Sequence, residues 1–429
     1  MSAIINAMEK NRRHSLWYER ILLSHWFQLT LGLTIAVILP AIVHWGWGFW
    51  HESNSQGYLT TLIGTAIAYI ISINAVRRLS TFPGAKAFAY IIPTITITYL
   101  IMIGVMLFTQ LDYSRFQLSV SYIVSVAYCC IGYLIGTKYK VQKLAVVPFG
   151  KVYDFCKTPE IDWRWLSEPA LNDMRVDGVV ADLRSELDDK WQKFLADCTI
   201  HRIPVYNARQ VHESITGRVH LDHLYENKYG SLMPREDYEI IKRAFDVIAI
   251  LLIMPAVLPI MAITAYLIKR DDPGPAIFTQ QRMGFQCQPF KVYKFRSMYV
   301  NHEGLGFTAE GEDPRITRIG RVIRKYRIDE LPQLFNVLKG DMSLIGPRPE
   351  SSSLAEWYER DVPFFHYRHV VRPGISGWAQ VEQGYAAEVE GMTKKLEYDF
   401  YYIKNFSFWL DVLIVIRTIK TMLTGFGAR

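Results

Sequence analysis

The sequence is poor in cysteine, and the spacing of its few cysteines excludes the usual thiol chemistry. It contains 5 cysteines in 429 residues, with no C-x-x-C pair among them. Neither a disulfide framework nor a metal–thiolate centre is expected from this pattern. The glycine fingerprint G-x-G-x-x-G is also absent. Because that fingerprint brings dinucleotide phosphates onto a helix N-terminus, a conventional dinucleotide site is not expected.

Long apolar runs are abundant. Hydrophobic residues make up 50% of the chain and aromatic residues 14%, which is high for a soluble protein. Four runs, at 26–43, 58–75, 87–108 and 116–135, each approach the roughly 20 residues of a membrane-spanning helix. No cleavable signal peptide is expected before them, since 1–20 is polar and charged. We predict a four-helix transmembrane bundle over 1–140.

Basic residues around these runs predict their orientation. They are concentrated before the first run, between the second and third, and after the fourth: Lys10, Arg12, Arg13, Arg20, Arg77, Arg78, Lys86, Lys138, Lys140 and Lys143. The opposite connections contain only Arg115. The positive-inside rule therefore places both ends of the bundle in the cytoplasm. This accounts for part of the net charge of +7, and no nucleic-acid partner is expected.

The segment 141–234 has a mixed, soluble composition. Short buried strands are predicted at 144–147, 176–181 and 203–206, with a helix at 185–196. This alternation predicts a small α/β module with a parallel sheet. Because the glycine fingerprint is missing, we interpret it as a degenerate Rossmann-like module with a regulatory or packing role.

The apolar run 247–268 is long enough to span a membrane, but basic pairs precede and follow it. Such symmetric flanks give no orientation. Pro255 and Pro259 lie inside the run, and each removes a helix hydrogen bond, so the helix can kink. We predict a re-entrant helix over 245–270 that enters and leaves the membrane on one side. A fifth ordinary span is the alternative.

Two acids, Asp329 and Glu330, lie among basic residues near a predicted helix start. Carboxylates at a helix N-terminus stay ionised, and the same position attracts phosphate. Alone, the pair would more often be an N-cap and a first-turn acid. Arg324 upstream and Arg348 in a rigid G-P-R-P turn downstream change that balance. Two separated guanidinium groups beside two carboxylates suit a diphosphate ligand.

Basic and aromatic residues outside this stretch supply further candidates. A hairpin is predicted around Gly284, and Lys294 and Arg296 would share one face of its second strand. That face could equally be solvated. Arg372 and Trp378 lie in a rigid loop, where Trp378 could stack on a base or sugar or serve as a core or interface anchor. The run 406–423 is too polar to span and is expected to lie in the membrane interface.

Several consecutive motifs resemble the bacterial sugar transferase family, the large monotopic polyprenyl-phosphate phosphoglycosyl transferases. The similarity covers 242–429 and includes KRAFD, KFRSM, DPRITRIGRVIRK, DELPQLFNVLKGDMSLIGPRPE, RPGISGWAQV and YDFYYIKNFSFWLD. One departure concerns the re-entrant turn. The family has a Ser-Pro step there, whereas this chain has Leu258 before Pro259.

The resemblance implies an enzyme of the bacterial inner membrane with a re-entrant-helix catalytic domain, 235–429, on the cytoplasmic face. It would follow the transmembrane bundle (1–140) and the α/β module (141–234). Its reaction would transfer a sugar-1-phosphate from a UDP-sugar to undecaprenyl phosphate and release UMP. That step begins exopolysaccharide, O-antigen or capsule assembly. Membrane lipids, downstream glycosyltransferases and a second copy in a homodimer are the expected partners, and the sugar remains open.

The resemblance also assigns roles to residues. Asp329 would attack the donor and form a phosphosugar-aspartyl intermediate, while Glu330 would support Mg²⁺ and proton handling, with Asp329 also near the metal. Phosphate and substrate ligands would come from a basic and aromatic set: Lys294, Arg296, Arg324, Arg348, Arg372 and Trp378. These roles follow from motif position only.

Two other classes of protein share parts of this layout. A membrane-bound nucleotide-sugar dehydratase can combine four spans with a Rossmann-like module, but the missing glycine fingerprint argues against it. A scaffold without catalytic activity would keep the membrane segments and could lose the acids. The presence of Asp329, Glu330, Arg324 and Arg348 argues against a scaffold.

Overall fold

The computed structural model describes most of the chain, and its residues form two compact units, Met1–Gly217 and Arg218–Arg429. The described residues are 17–22, 24–47, 56–83, 88–139, 141–159, 161–172, 174–221, 233–300, 313–383 and 389–424. Each unit has its own buried clusters of apolar side chains.

Apolar helices begin the first unit. They are α1 (Trp17–Leu22), α2 (His25–Leu33), α3 (Leu39–Trp45), α4 (Gln56–Leu79), α5 (Phe88–Phe108) and α6 (Arg115–Tyr139). A π turn at Thr34–Ile38 joins α2 to α3. Four stretches are long and apolar enough to cross a membrane: His25–Trp45, Gly57–Leu79, Ala89–Phe108 and Arg115–Gly136. The predicted apolar runs are therefore helical, as a membrane protein requires.

Buried polar side chains connect these helices. Gln117 of α6 donates from Nε2 to the carbonyl oxygen of Val37, inside the π turn, at 2.9 Å. A π turn departs from the α-helical bonding pattern, so its carbonyls can accept a bond from another helix. Tyr99 of α5 lies 2.9 Å from the hydroxyl of Ser121 and 3.0 Å from that of Ser125 on α6. Such bonds add to close packing between apolar helices.

A parallel sheet with helices completes the first unit. Its elements are β1 (Lys143–Val146), α7 (Val152–Phe155), β2 (Asp162–Trp165), β3 (Gly178–Ala181), α8 (Asp189–Ile200), β4 (Val205–Asn207) and α9 (Ala208–Thr216). The strand order is β2-β1-β3-β4, with every neighbouring pair parallel. The predicted parallel sheet is confirmed. Prediction missed β2, since its sequence DWRW has no buried apolar run at this sheet edge.

The second unit combines one long apolar helix with small sheets and shorter helices. Its elements are α10 (Glu236–Asp271), β5 (Ile277–Met283), β6 (Pro289–Phe295), α11 (Arg318–Lys325), α12 (Gln333–Lys339), β7 (Ser343–Ile345), α13 (Ser352–Asp361), β8 (Gly374–Ser376), α14 (Trp378–Glu382), α15 (Val389–Lys404) and α16 (Phe408–Thr424). Strands β5 and β6 form an antiparallel hairpin, whereas β7 and β8 are parallel.

Helix α10 is 36 residues long and has both prolines inside it. Near its start, Lys242 pairs with Asp411 of α16 at 2.7 Å, and Asp246 accepts a 2.6 Å bond from Ser343 of β7. Its last residue, Asp271, accepts a 3.2 Å bond from the backbone N–H of Ile319 in α11. Both ends of this apolar helix are therefore bonded to the same compact unit.

The hairpin is bonded to the helix that follows the two acids. Asn336 of α12 accepts a bond from the backbone N–H of Tyr293 at 3.0 Å and donates to the carbonyl oxygen of Lys291 at 2.7 Å. Asn336 is fully buried, and both bonds go to β6. This side chain therefore sets the position of the hairpin, and with it that of Lys294, relative to α12.

Candidate active site

Asp329 and Glu330 lie in a tight turn between α11 and α12. Arg327 has a left-handed backbone with φ 57°, and the 3₁₀ turn Ile328–Glu330 follows it. The sequence predicted a helix beginning at Asp329, but α12 begins only at Gln333. The left-handed residue ends the preceding helical geometry, and the shorter i to i+3 bonds reverse the chain. The acids therefore lie on a 3₁₀ turn instead of an α-helix N-terminus.

Glu330 is the most tightly bonded acid of the site. It is 7% exposed, and its Oε1 accepts bonds from Arg348 at 2.6 Å and Lys294 at 3.2 Å. Burial disfavours its charged form, but these two cations outweigh burial and hold the pKa of Glu330 well below its ordinary range. Arg327 adds a third cation at 3.8 Å. Glu330 is therefore an ionised carboxylate at the centre of a cluster of three cations.

Asp329 has a different environment. Its carboxylate makes no hydrogen bond or ion pair with the part of the chain that the structure describes. Burial raises its pKa, and the negative charge of Glu330 raises it further, while Lys294 and Arg348 oppose both effects. The sequence predicted that a helix dipole would keep Asp329 ionised, but burial and the neighbouring charge have the opposite effect. A more basic carboxylate is also a stronger nucleophile once it is ionised.

Arg324 lies close enough to Asp329 to lower its pKa. Its Nη1 is buried and has no hydrogen-bond partner among the described residues. An unpaired buried donor costs about 1–3 kcal/mol. An anion beside Asp329 would satisfy this nitrogen by a charge-assisted bond.

Two further arginines face the acids and were not predicted as site residues. Arg327 contacts Glu330, as described above, and Arg282 of β5 lies close enough to influence Glu330 and Arg348 electrostatically. Burial, followed by repulsion from Arg348, lowers the pKa of Arg282. In the hairpin register Phe278 pairs with Lys294 and Arg282 with Phe290, so Arg282 and Lys294 share a face. Two-residue periodicity could have identified Arg282.

Three of the predicted ligands have other partners. Arg296 follows the end of β6 and pairs with Asp272, beyond α10, at 3.4 Å. Arg372 pairs with Glu239 near the start of α10. Trp378 is 1% exposed, with a guanidinium of α16 4.7 Å from its ring centre. Lys294, Arg324 and Arg348 are the predicted cations that the fold gathers around the two acids.

A second buried ionic cluster is bonded to the backbone of Arg348. Arg368 is 2% exposed, and its Nη2 donates to the carbonyl oxygen of Arg348 and forms an ion pair with Asp399 of α15, both at 2.8 Å. Lys395 of α15 pairs with Glu350, which follows the same loop. The backbone that carries Arg348 is therefore held by α15, independently of the bond to Glu330.

Close backbone contact also fixes this loop. A Cβ on Gly346 would lie 2.4 Å from the carbonyl oxygen of Arg372, and one on Gly374 would lie 2.1 Å from the amide nitrogen of Gly346. Only glycine permits strands β7 and β8 to approach so closely. The G-P-R-P loop (346–349) and the R-P-G loop (372–374) are therefore in direct backbone contact, and this contact fixes the position of Arg348.

Comparison with known proteins identifies the family of this chain. A family model described as bacterial sugar transferase matches residues 237–425. An Aeromonas hydrophila protein named UDP-N-acetylgalactosamine-undecaprenyl-phosphate N-acetylgalactosaminephosphotransferase is 50% identical over 98% of this chain and 100% of its own length.

Shorter matches come from two other bacteria. UDP-glucose:undecaprenyl-phosphate glucose-1-phosphate transferases of Caulobacter vibrioides and Escherichia coli are 40% and 41% identical. They cover 46% and 42% of this chain, and 74% and 39% of their own lengths. The chain belongs to the bacterial sugar transferase family, and the predicted class, a phosphoglycosyl transferase, is confirmed.

We expect Arg348→Lys to lower kcat/KM by roughly 10- to 100-fold, the effect of losing about 1.5–3 kcal/mol from a charged hydrogen bond. Lysine keeps the charge but loses the planar fork. Steady-state assays of UMP release measure the change. Arg235→Lys, at an exposed position 4.0 Å from Asp237, is the matched control. Unchanged kinetics for Arg348→Lys would make Arg348 a structural turn residue.

Proposed function

We propose that this enzyme transfers a sugar-1-phosphate from a UDP-sugar to undecaprenyl phosphate and releases UMP. The observation that carries the proposal is the Asp329 carboxylate, which has no partner among the described residues and lies beside Lys294, Arg324 and Arg348. The names of the relatives support the same reaction class. The full-length similarity to the Aeromonas protein makes UDP-N-acetylgalactosamine the first donor to test. The product would feed glycosyltransferases of exopolysaccharide, O-antigen or capsule assembly.

The chemistry would proceed in two displacements at phosphorus. Asp329 attacks the phosphate that carries the sugar, an aspartyl O–P bond forms, and the P–O bond to the UMP leaving group breaks. An oxygen of undecaprenyl phosphate then attacks the same phosphorus and displaces the carboxylate of Asp329. Covalent catalysis of this kind divides one difficult encounter between anions into two steps. Lys294, Arg324 and Arg348 would hold the phosphate oxygens, and their fixed positions avoid reorganisation during reaction.

The role of Glu330 is best described as organisation of positive charge. Its Oε1 holds Arg348 and Lys294 in place. Its lowered pKa keeps it ionised near neutral pH, so a part in proton handling would be that of a base. We therefore assign Glu330 to positioning the two cations and, as described next, to a metal ion.

Mg²⁺ fits the donor set of this site. Proteins commonly bind it with one or two carboxylates, together with substrate phosphates. Asp329 offers a carboxylate without a partner among the described residues, and Glu330 offers the oxygen that is not bonded to Arg348 and Lys294. Bound there, the ion would neutralise diphosphate charge.

The proposed topology makes α10 re-entrant, followed by a catalytic domain on the cytoplasmic face. Support comes from the bonds at both ends of the helix: Asp246 with Ser343 and Asp271 with the backbone of Ile319. A helix that crossed a bilayer of about 30 Å would place its ends in different compartments. One compact soluble unit could not then bond both ends. The four apolar helices and the α/β module would form the preceding two domains, 1–140 and 141–234.

Replacement of the nucleophile tests the mechanism. We expect Asp329→Asn to lose UMP release by on the order of 10³-fold or more, since the amide keeps the shape but not the reactive oxygen. Wild-type protein incubated with sugar-labelled donor, without undecaprenyl phosphate, should retain label after denaturation. Asp329→Asn should retain none, and Asp361→Asn, at an exposed position on α13, should behave as wild type. Turnover by Asp329→Asn would exclude the covalent route.

The pH dependence gives a second test. The reaction requires ionised Asp329, so kcat/KM should fall as pH decreases through its pKa. Burial and the charge of Glu330 raise that pKa, so the acid limb should lie above the ordinary aspartate value of about 3.9. Glu330→Gln removes the negative neighbour, and the limb of its residual activity should move to lower pH. A limb that stays in place or moves to higher pH would contradict this electrostatic account.

Cysteine labelling tests the topology. In a background without the native cysteines, Asp237→Cys and Arg270→Cys lie at exposed positions near the two ends of α10. Both should resist an impermeant thiol reagent in intact cells and react once the inner membrane is opened. Gln110→Cys, in the connection between α5 and α6, should react in intact cells and serves as the outward-facing control. Opposite results at positions 237 and 270 would establish a spanning helix.

A further inference from the structure

Helix α11 has a basic outer face that the active site does not use. Arg318, Arg321, Val322 and Lys325 are all exposed, and their spacing of i, i+3, i+4 and i+7 places them in one stripe. Tyr326 extends the stripe and is 54% exposed. We call these five residues the outer stripe. It combines three cations with two apolar side chains, as in helices that lie on membrane surfaces.

The orientation of α11 is fixed by its inner face. Gly320 is buried, and a Cβ there would lie 2.0 Å from the carbonyl oxygen of Ser297. Thr317 caps the helix by accepting a 2.8 Å bond from the N–H of Gly320. Rotation about the helix axis would bring a bulkier side chain into this contact. The outer stripe is therefore held outward by the fold.

The inner face of α11 packs against the apolar helix α10. Ile323 belongs to a buried cluster with Met261 and Ile268 of α10. Asp271, the last residue of α10, accepts a bond from the N–H of Ile319 at 3.2 Å. The last turn of α10 is therefore adjacent to the start of α11.

Exposed cations also lie at the end of α10. Lys269 and Arg270 are both exposed in its last turn. Large apolar side chains precede them on the surface of the same helix, with Ile263 60% and Tyr266 64% exposed. Apolar surface that changes to clustered cations over one or two turns matches the change from acyl chains to anionic headgroups.

We infer that the outer stripe of α11 binds the headgroups of anionic phospholipids. Arg324 is excluded from this role because its Nη1 is buried on the side of Asp329. This binding would fix the position of the active site relative to the bilayer. Lipid contact would hold α11 flat on the bilayer, and the 3₁₀ turn that follows it would present Asp329 at a constant height above the surface. The inference rests on the proposed membrane placement of α10 and does not depend on covalent catalysis.

The test compares full-length protein in nanodiscs of phosphatidylcholine with and without phosphatidylglycerol. For wild type we expect phosphatidylglycerol to slow amide hydrogen exchange in 318–326 and to raise the rate of UMP release. Arg318→Gln combined with Lys325→Gln should reduce both responses by on the order of tenfold, since each surface cation contributes several-fold. Lys190→Gln combined with Lys193→Gln, on the exposed face of α8 in the other unit, gives the same charge change as a control.

Charge-conserving variants separate lipid binding from a folding defect. Arg318→Lys combined with Arg321→Lys should keep both responses to phosphatidylglycerol. Identical exchange and rates for wild type in the two lipids would overturn the inference, as would a response lost equally in the α8 control. If the glutamine variant instead raised the KM for undecaprenyl phosphate in pure phosphatidylcholine, the stripe would bind the lipid substrate and the inference would be wrong.

Discussion

The structure of the candidate site depends on one buried charge cluster, in which Glu330 holds Arg348 and Lys294. Removing a carboxylate from water is costly, and a single partner often fails to offset that cost. Two direct bonds and a third nearby cation offset it here. The cluster therefore exists only when the hairpin, the 3₁₀ turn and the G-P-R-P loop are all in place. Asp329 lies beside the cluster but makes no hydrogen bond or ion pair with the described residues, so its carboxylate can react with a substrate.

This cluster is built from segments distant in sequence, and each has its own support. Asn336 bonds the hairpin to α12, and Arg368 bonds the loop of Arg348 to α15. Because the supporting groups are buried and bonded to the backbone, they fix the positions of the cations before any substrate arrives. Preorganised charge of this kind is the main means by which a protein stabilises phosphoryl transfer. The small sheets and short helices of the second unit form the framework that holds this charge cluster in place.

Local sequence patterns predicted much of this arrangement. Run length identified the apolar helices, and proximity in sequence brought Arg324, Asp329, Glu330 and Arg348 together. Long-range pairing was less accessible. The resemblance implied substrate-ligand roles for Arg372 and Trp378, with a core or interface anchor as the alternative for Trp378. In the structure they contact Glu239 and α16, and spacing within a loop does not reveal which element covers it. Arg282 was overlooked since its role depends on hairpin register.

The attachment of both ends of α10 to one unit has a consequence for how the enzyme responds to its bilayer. A spanning helix must match the full hydrocarbon thickness, and mismatch is relieved by tilt or by local deformation of the lipid. Under the proposed topology α10 meets a single leaflet, and its depth is set by bonds to protein at Asp246 and Asp271. Changes in membrane thickness would then strain the four apolar helices of the first unit. The second unit would keep its register with the leaflet that it contacts.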